Sequence, residues 1–189
     1  MFIVFEGADG SGKSTHARLA SEWMREKGLE VYLTCEPTDG KIGRFIREVL
    51  GGDVKVNPRT LSLLFTADRS EHADEIRKAL GEGKVVLCDR YYHSTVAYQS
   101  VQGVEREWIL KLNEFTPKPD LVIYFDLDSA DAIKRAQSGE IFERQEFLEK
   151  VRKQYMRFDG LKVVETDQEV DEVQQRVRQL IAEVTDLKA

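Results

Sequence analysis

Nine residues near the N-terminus bring together the groups that phosphate chemistry needs. Gly7-Ala8-Asp9-Gly10-Ser11-Gly12-Lys13-Ser14-Thr15 fits the pattern G-x-x-x-x-G-K-[ST]. Glycines at 7, 10 and 12 let the backbone turn tightly enough for successive N–H groups to point at one oxyanion cluster. The positive end of a following helix would lie behind that cluster. Lys13 can reach the β- and γ-phosphates of a nucleotide, and the Ser14 hydroxyl can take a place on Mg²⁺. A flexible glycine turn is the plainer reading of the composition alone. The flanks argue against it: Phe2-Ile-Val-Phe-Glu6 reads as a buried strand, and Leu19, Ala20, Trp23 and Met24 mark a helix ending at Gly28.

A second group of reactive side chains lies in the middle of the chain. Lys84-Val-Val-Leu-Cys-Asp89 reads as a strand ending in a carboxylate, a Walker-B-like place from which Asp89 can hold magnesium directly or through water. A strand-end aspartate is often only a turn cap. Here Arg90-Tyr-Tyr-His-Ser-Thr-Val-Ala-Tyr-Gln99 follows at once and sets arginine, hydroxyls and an amide at the same rim. Phe65 and Arg69 are four apart on a predicted helix and project from nearly one face. Arg44 and Arg47 sit on another helix, where solvated surface charge is the bland alternative.

The elements that must position these groups follow from periodicity. Further strands are expected over Glu30–Thr34, Asp120–Asp126 and Leu161–Glu165, with helices carrying Ile42 to Leu50, Leu61 to Leu80, Glu105 to Phe115, Phe147 to Phe158 and Val170 to Val184. Asn57-Pro58 is a helix start, a capping side chain followed by proline at the first helical position. Asp128-Ser129 reads as a cap for a helix through Ala136, and Gln137-Ser-Gly-Glu140 as a loop. Strands alternating with helices demand a parallel sheet covered on both faces. The expected fold is α/β: a three-layer P-loop NTPase fold, with a five-stranded parallel sheet, helices on both faces and a short lid at about 135–145.

The 189 residues suit one domain spanning 1–189, and no repeat or linker divides them. A net charge of −6 argues against a general nucleic-acid binder. Apolar residues make up 41% of the chain, and no apolar run approaches membrane-spanning length, so neither nucleic acid nor membrane is expected as a partner. The two cysteines, Cys35 and Cys88, have no metal-ligand spacing and read as buried free thiols in a reducing cytoplasm.

At Asp89-Arg-Tyr-x-x-Ser-x-x-Ala-Tyr-Gln99 the sequence resembles the thymidylate kinases, which phosphorylate dTMP to dTDP with Mg-ATP. The resemblance extends over Phe5-Glu-Gly-x-Asp-Gly-x-Gly-Lys-Ser-Thr15, Glu36-Pro37, Gly43-x-x-Ile-Arg47, Phe65-x-x-Asp-Arg69, Lys118-Pro-Asp-Leu121 and Phe142-Glu-Arg-x-Glu-Phe147. It implies that Phe65 stacks on thymine and Arg69 donates to its O4. Thr95 and Gln99 would approach the base edge, and Tyr98 would pack under the deoxyribose. Arg47 and Arg90 would clamp the acceptor phosphate. Asp9 would lie between the sugar 3′-hydroxyl and the metal held by Ser14 and Asp89, and Thr166-Asp-Gln168 would border adenine. A homodimer is implied as well.

Two departures from the family pattern matter. Cys35-Glu-Pro stands where the family has Arg-Glu-Pro, and Gly10 occupies the place where some members carry a P-loop arginine. With that arginine missing, the expected catalytic cations are Lys13, Arg90 and a lid residue, Arg135 before Lys134 or Arg144. The competing readings are a kinase for another nucleoside monophosphate or for a deoxynucleoside, and an ATP-binding switch protein.

Overall fold

Five short runs of β-branched and aromatic residues pair into one parallel sheet, with strands β1 (Phe2–Gly7), β2 (Val31–Cys35), β3 (Val85–Asp89), β4 (Leu121–Asp126) and β5 (Lys162–Glu165). The fold is taken from a computed structural model that describes residues 1–127 and 145–185. Strand order is β2-β3-β1-β4-β5, and every neighbouring pair is parallel. The helices are α1 (Lys13–Glu26), α2 (Lys41–Gly51), α3 (Pro58–Gly81), α4 (Tyr92–Val101), α5 (Arg106–Leu112), α6 (Gln145–Tyr155) and α7 (Val170–Glu183). The expected helix from Asp128, the loop at 137–140 and most of the lid fall outside the described residues.

Alternate residues of the central strands face opposite layers. Ile3, Phe5, Leu87, Ile123 and Phe125 pack against Ala17, Trp23 and Met24 of α1 and Val177 and Ile181 of α7. Phe2, Val4, Val86 and Val122 turn the other way, onto Ile76 and Ala79 of α3. Tyr124 meets Ala97 of α4 and Val151 and Tyr155 of α6. Burial at about 1.5–3 kcal/mol per large apolar side chain fixes β1, covered on both faces, as a firm base for the loop it feeds.

Local signals end the elements where expected. Asn57 Oδ1 accepts from Thr60 N at 2.8 Å with Pro58 following, so the start of α3 is capped as its sequence predicts. Helix α4 is the element that periodicity did not reveal. Its His93, Thr95, Val96, Ala97 and Gln99 are all buried, so no single apolar stripe marks it. Cys88 is buried as expected; Cys35 is only half-buried, because β2 is an edge strand, and both thiols are free.

Helix α2 and the turn before it approach more closely than any side chain would permit. A Cβ at Gly43 would lie 1.9 Å from Thr38 O and 2.7 Å from Thr38 N. Thr38 cannot retreat, since its N–H (2.8 Å) and hydroxyl (2.6 Å) both donate to the buried Asp68 carboxylate. Gly43→Ala should therefore lower stability by about 1–3 kcal/mol or more in chemical denaturation. Gly81→Ala, at a helical glycine with open space around it, should be neutral or mildly stabilising. Equal stability of the two variants would show that the 37–40 turn is free to shift.

Candidate active site

The carboxyl edge of the sheet gathers the reactive residues. Register pairs Phe5 of β1 with Asp89 of β3, so the glycine-rich loop and the strand-end carboxylate emerge side by side. The loop needs its glycines: Gly10 and Gly12 have φ of +79° and +87°. A Cβ at Gly7 would press on Ser11 Oγ at 2.6 Å and Phe125 O at 2.8 Å. Gly12 caps α1 without a side-chain hydrogen bond, which leaves the first N–H groups of the helix aimed at the loop's hollow. Ser11 Oγ is buried in that region with no protein partner. Ser14 and Thr15 are exposed on the first turn of α1.

Lys13, 6% exposed, is held in the loop by Asp9 Oδ1 at 3.0 Å and Ala8 O at 3.4 Å. The same Asp9 oxygen accepts from Arg90 Nη2. Arg90, and after it Lys13, hold the Asp9 carboxyl far below the usual carboxylate range, so it is an anion at any physiological pH.

The Ser14 hydroxyl donates to Asp89 Oδ2, while the buried Asp89 Oδ1 has no protein partner. A carboxylate oxygen left without a donor beside a hydroxyl is a hard-oxygen pair, the chemistry that suits Mg²⁺. Among the described residues no three His, Cys, Asp or Glu side chains gather, so a cation here would need ligands from a bound phosphate as well.

Beside the loop opens a cleft of about 880 Å³ including its mouth. Arg47, Phe65, Arg69, Arg90, Thr95, Tyr98 and Gln99, all predicted from sequence, line it together with Asp9. Phe65 is half-buried and rests on the small α2–α3 core of Ile46, Val49 and Leu61. At this end Arg69 is 1% exposed and immobilised. Its Nε and Nη2 lie 2.7 and 2.6 Å from Glu36 Oε2, Nη2 also donates to Thr95 Oγ1 at 3.0 Å, and Nη1 donates to Asn113 Oδ1 at 2.6 Å. One Nη1 hydrogen is left over. Gln99 Oε1 is likewise buried without a partner, while its Nε2 reaches Gln102 Oε1 at 3.3 Å.

The other end of the cleft is cationic. Arg90 takes the left-handed φ of +68°, rare for a non-glycine, and its guanidinium sits 5.6 Å over the Tyr98 ring. Burial pushes the Tyr98 phenol up to about 12, so it is neutral at physiological pH. Arg47, at the mouth, donates to Pro37 O at 2.6 Å and Thr38 O at 2.7 Å. Thr166 lies at the same sheet edge, with its N–H on Asp126 O at 3.1 Å, outside the lining of the cleft. Arg135 and its neighbours Lys134 and Arg144 lie outside the described residues.

Sequence reasoning gave no role to several groups that the fold brings in. Glu36 anchors Arg69 and also meets His72 Nδ1 at 2.9 Å. Asn113 is turned toward Arg69 because its Nδ2 donates to Ile109 O at 2.8 Å. Glu6, read only as a strand end, is fully buried behind Arg90. Of these, Glu6 and Glu36 stood inside the quoted family motifs without a role, and Asn113 and His72 left no sequence signal.

The family profile described as thymidylate kinase matches residues 5–177. A probable thymidylate kinase of Pyrococcus abyssi is 42% identical over 194 residues, covering 95% of each chain. One of Methanococcus vannielii is 47% identical over 163 residues, covering 85% of this chain and 79% of the relative. The solved structure of the thymidylate kinase of Candida albicans superposes with a TM-score of 0.85 at 28% identity, covering 96% of this chain and 91% of that one.

Asp89→Asn keeps an acceptor for Ser14 and removes the charge of the unpartnered oxygen. It should raise about tenfold the Mg²⁺ concentration that half-saturates the nucleotide complex. Titrating Mg²⁺ against a fluorescent ATP analogue reads this, and an unchanged midpoint would remove Asp89 from the metal site.

Proposed function

The chain belongs to the thymidylate kinase family, and from that membership we infer how its residues phosphorylate dTMP to dTDP with ATP. The observation that carries the reading is Asp9 Oδ1, which joins Lys13 of the phosphate loop to Arg90 of the cleft. A donor site and an acceptor site that share one carboxylate are near enough for direct transfer. A nucleotide-binding switch has no use for the second, base-shaped cleft.

The loop from Gly7 to Thr15 binds the ATP phosphates through backbone N–H groups, with Lys13 on the β- and γ-phosphates. Ser14 and Asp89 would hold Mg²⁺, which supplies charge neutralisation on the phosphates. In the cleft, Phe65 stacks on thymine, the free Nη1 hydrogen of Arg69 meets O4, and Gln99 Oε1 can accept from N3–H. Thr95 fixes Arg69, Tyr98 lies under the sugar, and Arg47 with Arg90 grips the acceptor phosphate. Asp9, at the lining of the cleft, would accept from the 3′-hydroxyl.

That acceptor phosphate is already a nucleophile at neutral pH, so positioning matters more than a general base. One of its oxygens attacks the γ-phosphorus, the bond from that phosphorus to the β,γ-bridging oxygen breaks, and ADP carries away the electron pair. Charge spreads over three equatorial oxygens as this happens. Because Gly10 leaves the loop with a single cationic side chain, a second cation from a lid at about 135–145 completes the site, with Arg135 the first choice. The rest of the reading is a single domain over 1–189, a cytoplasmic location supported by two free thiols, and a homodimer. Among the described residues no helix is long and apolar enough to cross a membrane, and Phe45 and Leu63 leave apolar surface exposed on α2 and α3.

Turnover on dTMP should exceed that on dCMP at least about tenfold, since a fixed guanidinium donor faces O4 of thymine but repels the N4 amine of cytosine, while UMP, which keeps O4, should be disfavoured by its 2′-hydroxyl against Tyr98. Equal kcat/KM for dTMP and dCMP would sink the base assignment. Arg135→Ala should lower kcat far more than it raises KM for dTMP, the pattern of a contact made in the transition state. A raised KM for ATP with kcat intact would make Arg135 a ground-state phosphate contact instead.

A further inference from the structure

Glu6 is a buried carboxylate for which the reaction has so far had no use. It is fully buried, at the last position of β1 before the glycine loop. Oε1 accepts from Tyr91 N at 2.8 Å and Ser94 N at 3.3 Å, and Oε2 accepts from Ser94 Oγ at 2.6 Å and Tyr155 Oη at 2.8 Å. Among the described residues its ion-pair neighbour is His93 Nδ1 at 3.7 Å, and burial pushes that histidine down to about 3, so it carries no charge.

Burial pushes the Glu6 carboxyl up from its ordinary range, and holding the end of a helix does not require a carboxyl there. What the carboxyl group faces is Arg90, whose charge works against that shift. Two routes lead there. Through the backbone, Glu6 grips the amide that follows Arg90, the peptide which must stay fixed if Arg90 is to keep its left-handed φ. Through side chains, Arg90 Nη1 donates to Ser94 Oγ at 3.0 Å, and the Ser94 hydroxyl donates on to Glu6. Arg90 is thus held by Asp9 at one nitrogen and by the Ser94–Glu6 relay at the other. The fourth donor, Tyr155, ends α6, so the same carboxylate ties β1, α4 and α6 together.

We propose that Glu6 is the positioning residue of the acceptor-phosphate clamp: through the Tyr91 amide and the Ser94 hydroxyl it fixes the direction of the Arg90 guanidinium. The inference rests on the reading of Arg90 as a phosphate contact and touches neither the base contacts nor the ATP loop.

The test is a double-mutant cycle read in binding, so that it does not depend on residual turnover. Glu6→Gln, Arg90→Ala and the double variant of the full chain are titrated with dTMP and, separately, with Mg-ATP. Glu6→Gln should weaken dTMP about tenfold with ATP affinity within twofold of the parent. Added to Arg90→Ala it should weaken dTMP less than twofold further. A loss of similar size in both backgrounds, or one that falls equally on ATP, would make Glu6 a structural cap only and overturn the proposal. Should Glu6→Gln fail to fold by circular dichroism, Ser94→Ala runs the same cycle on the side-chain route alone and must likewise lose its effect in the Arg90→Ala background. If the parent does not bind dTMP in preference to dCMP while the cycle shows coupling, the base assignment fails and the clamp stands.

Discussion

One oxygen, Asp9 Oδ1, fixes how far apart the two halves of the site can be. It accepts from Lys13 of the donor loop and from Arg90 of the cleft at once. Each contact requires the others: the loop must turn at Gly10 and Gly12 to bring Lys13 onto Asp9, and the chain after β3 must take a left-handed step to aim Arg90 back across the sheet edge. Both conditions follow from the β1–β3 register, which sets Phe5 beside Asp89. A rigid parallel sheet buried on both faces allows no slack in that register. The distance between donor and acceptor therefore belongs to the fold, before any ligand arrives.

The cleft is built from arginines whose freedom has been removed in advance. Arg69 is fixed by Glu36, Thr95 and Asn113, and Arg90 by Asp9 and Ser94. Burying such groups is expensive in desolvation and adds little net stability. The return is preorganisation, since a donor already aimed needs no reorientation when charge moves on the transferred group. Arginine fits this use better than lysine because its planar fork can bind a carboxylate and still offer hydrogens to a second partner.

How much of this was legible in the sequence divides by distance along the chain. The glycine loop, the five strands and the Asn57-Pro58 cap were readable because each depends on neighbours a few residues away. Phe65 and Arg69 were readable as a pair because helical spacing puts them on one face. Helix α4 was not, because a helix enclosed on most of its circumference, with His93, Thr95 and Gln99 buried beside Val96 and Ala97, shows no 3.6-residue stripe. The pairings that Arg69 and Glu6 make escaped for a different reason. Asn113 is 44 residues from Arg69, and Tyr91 and Tyr155 are 85 and 149 residues from Glu6. No local pattern encodes contacts of that range. Arg135, read from its place before a glycine-containing gap, lies outside the described residues.

Helix α4 links the two tasks of the cleft. Thr95 and Gln99 lie four apart on the face proposed to meet the base, where Thr95 holds Arg69, while Ser94 and Tyr98, also four apart, meet Arg90. A rotation of the helix by one residue would exchange the two faces and misplace both sets together. Its rotation is set at its N-terminus, where the Tyr91 and Ser94 amides are held by a side chain from the strand that also feeds the phosphate loop. On the proposed assignment, recognition of the base and alignment of the phosphate share that anchor but lean on it unequally. Arg90 reaches the Glu6 carboxylate through Ser94, whereas Thr95 is also held by Arg69, and Arg69 by Glu36, so loosening the anchor misaligns the phosphate end while the base end keeps its own support.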